Sequence, residues 1–218
     1  MFLEKMDAFF EARLVGYEEH MLKNIQSAEE FYPFTAEQLP DVPGAAVLDL
    51  GCGTGLELRW YYEKNPTAQI TGIDLSAGML AALRETYRDK APELICGSYF
   101  DVPFGEEIFD GAVSVESLHH FTQAEKLPLY AKLHRSLKSG GYFILTDYFA
   151  LSEEEEQLHR QTLERLKKEQ NLPEGAFYHY DTPLTVAHEI QTLEAAGFQA
   201  IEILGQWGPT HTVKAVKR

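Results

Sequence analysis

The chain reads as an α/β protein built on a doubly wound, mostly parallel sheet, and three observations predict that class. Short apolar runs of strand length alternate with helix-period segments from residue 46 to residue 147, as a parallel sheet covered on both faces requires. The run at 47–55, VLDLGCGTG, passes from a buried strand into a turn with glycines at 51, 53 and 55, then restarts as a helix. A second apolar run, QITGI at 69–73, ends in Asp74, about the separation at which such folds place an acid for a ribose.

Glycines at alternate positions let the main chain take positive φ and let a ligand lie directly against it. The free N–H groups at the start of the next helix would face an anionic part of that ligand. The dinucleotide pattern G-x-G-x-x-G is not met, because its last position is Leu56. With Asp74 able to accept both hydroxyls of a ribose, the two motifs describe a nucleoside carrying a carboxylate but no pyrophosphate. DLGCGTG at 49–55 and GIDLSAGML at 72–80 resemble the first two motifs of the class I S-adenosylmethionine-dependent methyltransferases. The resemblance implies a Rossmann-like sheet of seven strands with an antiparallel last strand, and S-adenosylmethionine as cofactor. It also implies cofactor contacts from Asp49, Gly51, Cys52 and Gly53 in the first motif and from Asp74, Leu75 and Met79 in the second.

Length and composition set bounds on the rest. The 218 residues, 44% hydrophobic and 12% aromatic, suffice for one α/β domain with an embellishment. No apolar run approaches the roughly 18 to 20 residues that cross a bilayer. The first ten residues mix Glu4, Lys5 and Asp7 among apolar ones, unlike a signal peptide. Cys52 and Cys96 fit a reducing compartment, so a cytoplasmic location is expected, without membrane attachment. A net charge of −15 disfavours nucleic acid as substrate and leaves a small molecule as the expected partner of a monomer or homodimer.

Taken in order, residues 2–25 place Phe2, Met6, Phe9, Phe10, Leu14, Tyr17 and Met21 at helical spacing, in one helix or two. That stripe faces either the core or a ligand. In ubiquinone- and menaquinone-type small-molecule methyltransferases, a segment similar to ARLVGYEEHM precedes the fold and closes over the cofactor. By that resemblance Arg13 and Tyr17 are candidate contacts, and residues 1–44 form a helical extension ahead of a domain at 45–218. Residues 27–39 read as a helix broken by PDVPG at 40–44. Strands at 46–50, 69–73, 93–97, 109–115 and 141–147 then alternate with helices at 56–64, 76–90 and 123–138.

Ligands in such sheets bind at the carboxyl ends of the strands, and the remaining candidates fall there. Relatives often carry an acid after the glycine that ends the third strand; here Gly97 is followed by Ser98. Either Ser98 and the main chain of Tyr99 bind the base, or Asp101 reaches it, with Phe100 or Tyr99 stacking. After the fourth strand come Glu116, a candidate for the cofactor's ammonium, and the pair His119 and His120. An adjacent histidine pair is a poor chelate by itself, so no metal is expected. The fifth strand ends at Asp147 and Tyr148. A charged helix at 152–170 and an aromatic-rich loop holding Phe177, Tyr178, His179 and Tyr180 form a lid insertion at 151–182. A helix starting at Pro183 and two strands, 198–206 and 210–217, close the chain.

Methyl transfer from a sulfonium is an in-line displacement governed by positioning, so a general base is needed only for an O–H or N–H acceptor. His179 and then His119 are the expected bases, with His120 and Tyr178 behind them. Two alternatives stand beside this reading: a cofactor-binding or partner subunit without catalysis, and a nicotinamide-dependent oxidoreductase.

Overall fold

The computed structural model describes residues 1–173 and 175–218; Glu174, inside the expected lid, lies outside the described residues. The sheet has seven strands: β1 (Ala46–Leu50), β2 (Gln69–Asp74), β3 (Glu93–Cys96), β4 (Phe109–Val115), β5 (Leu137–Tyr148), β6 (Gln199–Trp207) and β7 (Thr210–Val216). Their spatial order is β3-β2-β1-β4-β5-β7-β6. β1 to β5 run parallel, and β7 is antiparallel to both β5 and β6. Strand order reverses between β1 and β4, which puts the crevice of a doubly wound sheet above Leu50 and Val115.

Side-chain alternation distributes the core over two faces. Leu48, Leu50, Ala112, Phe143 and Leu145 point to one face, which is covered by α6 (Gln123–Ser136) and α8 (Val186–Ala195). Their neighbours Val47, Val113 and Ile144 point to the other, under α3 (Ala28–Gln38), α4 (Leu58–Lys64) and α5 (Ala77–Thr86). Capping chemistry sets several helix starts: Ser76 accepts from Met79 N, Ser152 from Glu155 N, and Thr122 with Glu125 forms a capping box.

Some boundaries differ from the sequence reading. α4 begins at Leu58 instead of residue 56, because residues 51–57 are occupied by the glycine turn and a second turn closed by Leu58 N→Gly55 O at 3.1 Å. α5 stops at Thr86 rather than residue 90, and α8 starts at Val186, where Thr185 caps it, rather than at Pro183. The N-terminal stripe is two helices, α1 (Met6–Ala12) and α2 (Tyr17–Asn24), separated at Gly16 with φ 80°. α7 (Glu153–Glu169) is the expected charged helix. No described helix is long and apolar enough to cross a membrane.

One buried polar contact joins α6 to α8. Lys126 Nζ donates to Glu189 Oε2 at 2.6 Å and Tyr130 Oη donates to Glu189 Oε1; Lys126 and Glu189 are 1% and 0% exposed. A buried pair that loses one member leaves an uncompensated charge, at a cost of about 3–5 kcal/mol. Glu189→Ala is therefore expected to lose about that much stability in urea unfolding, whereas a loss below about 1 kcal/mol would mean that Lys126 finds solvent.

Candidate active site at the strand ends

The turn after β1 is made of residues only glycine adopts freely. Gly51, Gly53 and Gly55 have φ of 74°, 50° and 72°. A Cβ on Gly51 would lie 2.1 Å from Ser117 Oγ, while one on Gly53 would meet only the Tyr17 ring, at 3.9 Å. The turn is tied to β2 by Gly51 N→Ile73 O (2.8 Å) and Cys52 N→Ile73 O (3.2 Å). Asp74 completes the tie: its Oδ2 accepts from Gly53 N at 2.9 Å and its Oδ1 from Ser76 N at 2.8 Å. Burial raises the Asp74 carboxyl against the pull of these amides.

Behind the turn lies a buried acid pair. Asp49 and Glu57 are 1% and 4% exposed, and Asp49 Oδ2 and Glu57 Oε1 have no donor in the protein. Burial first, and then the neighbouring Glu57 carboxyl, holds Asp49 well above the usual range; burial also raises Glu57. The two orphan oxygens are satisfied if one proton is held between the carboxyls.

The N-terminal helices lie across the crevice mouth. Glu11 Oε2 of α1 accepts from Ser76 Oγ (2.6 Å) and Gly78 N (3.0 Å), reaching the start of α5. Lys5 bridges to Tyr178, Met6 N donates to Phe177 O and His179 N to Glu4 O, so the N-terminal segment pairs with the aromatic loop. Leu3, Leu166 and Tyr178 form a separate small core that joins this segment to α7. Phe9 stacks on His179 at 3.4 Å between ring centroids, and Phe10 packs edge-on against Tyr17, His120 and His179.

Beneath this cover is a cavity of about 750 Å³ lined by Phe9, Phe10, Tyr17, Met21, Glu116, His119, His120, Tyr148, His179, Asp181 and Thr210 among others. Its polar wall follows from the ends of β4 and β5. Glu116, at φ 49°, accepts from Thr210 Oγ1 at 3.3 Å; burial, with the charge of Asp147, pushes it up to about 8. His119 Nδ1 is 2.5 Å from Asp147 Oδ1, and Asp147 Oδ2 accepts from Leu118 N. Burial opposes the imidazolium of His119, but Asp147, Asp181 and Glu116 outweigh it and push the ring up to about 9. Burial and the adjacent His119 lower His120. His179 is pulled down to about 4 by burial and by the neighbouring His120.

The candidates from sequence thus divide. Asp74, Gly51, Gly53 and Tyr17 converge on the turn, and Glu116, His119 and His179 on the cavity. Cys52 turns its side chain into the sheet, where a Cβ on Gly72 would meet its Sγ at 2.8 Å. Met79 is buried and Leu75 half-buried beside Asp74. Tyr99 is buried with its hydroxyl 3.3 Å from Ser117 Oγ, and Ser98 Oγ accepts from Phe100 N. Asp101 is exposed, and Arg13 pairs at the rim with Glu4 at 3.1 Å while covering the Phe9 ring. Four participants had not been singled out: Glu57, Glu11, Asp181 and Lys132, whose Nζ donates to the carbonyls of Tyr99, Phe100 and Val102. Each acts on residues 30 or more positions away except Glu57, and no local spacing marks such contacts.

Residues 48–145 match a family model described as a methyltransferase domain. Among curated proteins, 24-methylenesterol C-methyltransferase 3 of Arabidopsis thaliana is 26% identical over 137 residues, 60% of this chain and 37% of that protein. Fatty-acid O-methyltransferase of Mycolicibacterium smegmatis is 31% identical over 141 residues, 61% of this chain and 50% of its own length. The chain therefore spans between a third and a half of these two relatives. A Nostoc punctiforme structure, provisionally described as an O-methyltransferase, superposes on 100% of this chain and 63% of its own with a TM-score of 0.70 at 22% identity.

The acid pair makes stability depend on pH. Above the ordinary carboxylate value of about 4, the native protein keeps a proton that the unfolded chain has released, so stability falls as pH rises from there. Glu57→Gln supplies an amide donor to Asp49 instead. The thermal midpoint of the variant, relative to the unmodified protein, is expected to rise steadily between about pH 5 and 8; a difference independent of pH would mean that no proton is shared.

Proposed function

We propose that this chain, whose residues 48–145 match a methyltransferase domain, is a class I S-adenosylmethionine-dependent methyltransferase that transfers a methyl group from S-adenosylmethionine to a small-molecule acceptor. The observation that carries this reading is the bare main chain at Gly53 beside Asp74, with only the ring of Tyr17, itself part of the cavity wall, against it. When bound, S-adenosylmethionine supplies a methyl group on a positively charged sulfur.

The residues present fit that group. Glycine at 53 leaves room where a side chain would stand, and the Asp74 oxygens, each holding one amide, keep a second lone pair for a ribose hydroxyl. Asp147 stays ionised at the crevice, and Asp74 and Glu116, both raised by burial, would ionise more readily beside a sulfonium or an ammonium. In this reading the amino-acid portion meets the turn at Gly51 and Gly53, with Cys52, Asp49 and Leu75 behind it. Ser98 and Tyr99, with Met79, border the base, and Tyr17 closes over the turn. Residues 1–44 then serve partly as a lid shared with 151–182.

The chain's own part in the reaction is placement and exclusion of water. Phe9, Phe10, Tyr17 and Met21 offer an apolar wall, and Glu116, His119, His179 and Asp181 a polar one. An acceptor with an apolar body and a polar reacting end fits between them. The Phe9 stack and the pairing of 4–6 with 177–179 cover one side of this space, and charge interactions strengthen where water is excluded. For an acceptor bearing a proton, His179 and His119 are the groups that face it.

Calorimetric titration tests the reading. S-adenosylmethionine and S-adenosylhomocysteine are expected to bind one per chain and NAD not at all. Asp74→Ala should weaken binding by about 1–3 kcal/mol through the lost charge-assisted hydrogen bonds. Unchanged affinity in that variant would place the ribose elsewhere, and heat from NAD alone would favour the oxidoreductase. Methyl transfer to a panel of hydroxylated and amine metabolites then separates an enzyme from a binding subunit.

A further inference from the structure

The geometry points to a divalent-cation site in the wall of the cavity, formed by His119 Nε2, His120 Nδ1 and Asp181 Oδ1. Asp181 Oδ1 lies 3.2 Å from His120 Nδ1 and 3.6 Å from His119 Nε2, and the three donor atoms fall within 4.8 Å of one another. Nitrogen and oxygen ligands about 2.0–2.2 Å from a metal stand roughly 3 to 3.6 Å apart along the edges of a tetrahedron or octahedron, so two of the three separations already have that value. A plain ion pair would engage one imidazole. Here one carboxylate oxygen faces two, and the 3.6 Å separation is too long for a hydrogen bond.

The surroundings hold the donors in place as metal sites require. His119 Nδ1 is bonded to Asp147 Oδ1, and Asp147 is in turn fixed by Leu118 N and Tyr148 N, both at 2.9 Å. A carboxylate behind the second ring nitrogen orients a ligating histidine and raises its basicity. Asp181 is held by the peptide that follows it, where Thr182 N donates to His119 O at 2.8 Å and Asp181 O is 3.0 Å from His159 Nδ1, while the preceding carbonyl, Tyr180 O, lies 3.3 Å from His120 Nδ1, a contact the cation would replace. Its side chain is 46% exposed, toward the cavity, whereas those of His119 and His120 are 10% and 3% exposed. The open coordination positions therefore face the space where an acceptor would lie.

Two imidazoles with one carboxylate suit zinc, manganese, iron, cobalt or nickel better than magnesium or calcium. A cation there would bind an acceptor hydroxyl and lower its proton affinity, the proton leaving to solvent. This part rests on the methyltransferase reading; the site itself does not. The pair His119 and His120 looked insufficient in the sequence because the third donor comes from 61 positions further on, in the aromatic loop.

Cobalt(II) and zinc(II) titrations of chelator-treated protein test the site, followed by calorimetry and, for cobalt, by visible absorption. One equivalent is expected to bind with the absorption of a low-symmetry site containing nitrogen ligands. Asp181→Asn and His120→Ala should each lose that absorption, and Asp147→Asn, acting through His119, should weaken affinity about 10- to 100-fold. Glu153→Gln with Glu154→Gln on α7 serves as control for adventitious binding to surface acids and should change nothing. Circular dichroism and thermal melting of the same variants report that they are folded, and S-adenosylhomocysteine binding to the unmodified protein tests the cofactor reading separately. Metal binding no tighter than in the combined His119→Ala, His120→Ala, Asp181→Ala variant would overturn the proposal, as would equal affinity in Asp181→Asn and the unmodified protein.

Discussion

The parallel pairing of β1 with β2, carried past the strand ends by Asp74, is the constraint on which the rest of the site depends. Leu50 is in register with Ile73, and the Ile73 carbonyl then takes both Gly51 N and Cys52 N. Two amides converging on one carbonyl force the chain to reverse at once, which only positive φ permits. For a residue with a Cβ that conformation costs about 1–2 kcal/mol, and at Gly51 the side chain would also meet Ser117. Asp74 then holds Gly53 and Ser76 together, so the exits of the two strands behave as one rigid edge.

A cover built from distant parts of the chain lies over that edge. α1 touches the start of α5 through Glu11, and its N-terminal flank pairs with the aromatic loop near Tyr178. Neither segment has a large core of its own; Leu3, Leu166 and Tyr178 are the buried members of the cluster they share. Elements with so few buried contacts open at lower free energy than the sheet beneath them. Ligand entry thus needs no disturbance of β1 to β5. Burial raises Asp49, Glu57 and Asp74 around the turn and Glu116 in the cavity wall together. A cationic occupant would relieve that accumulation.

Much of the fold was legible because it is locally encoded. Apolar runs gave the strands within one or two residues for β1 to β4, since burial on both faces leaves no other residue types there. The early start of β5 at Leu137, ahead of the expected 141, arises from pairing with Phe109 across a bulge, which a pattern cannot reveal. The N-terminal stripe could not be divided between core and lid, and the structure explains why. Met6 and Met21 are buried, Tyr17 reaches the glycine turn, and Val15 is 98% exposed between them. One helical period therefore serves two surfaces. Motif spacing marked Gly51, Gly53 and Asp74, and the strand ends and aromatic loop marked Glu116, His119, His120 and His179, whereas the partners of these residues were not marked. Asp181 meets His119 and His120 only because the sheet and the loop bring them together, and Glu57 meets Asp49 only because the glycine turn folds back on β1.

The central claim is that the bare turn at Gly51 and Gly53 and the carboxylate of Asp74 form one nucleoside cradle. A crystal structure of the protein grown with S-adenosylhomocysteine tests it most directly. The account predicts electron density for the amino-acid tail along the turn and for the ribose within hydrogen-bond distance of Asp74. Ligand density confined to another surface, with Tyr17 still closed over Gly53, would contradict it.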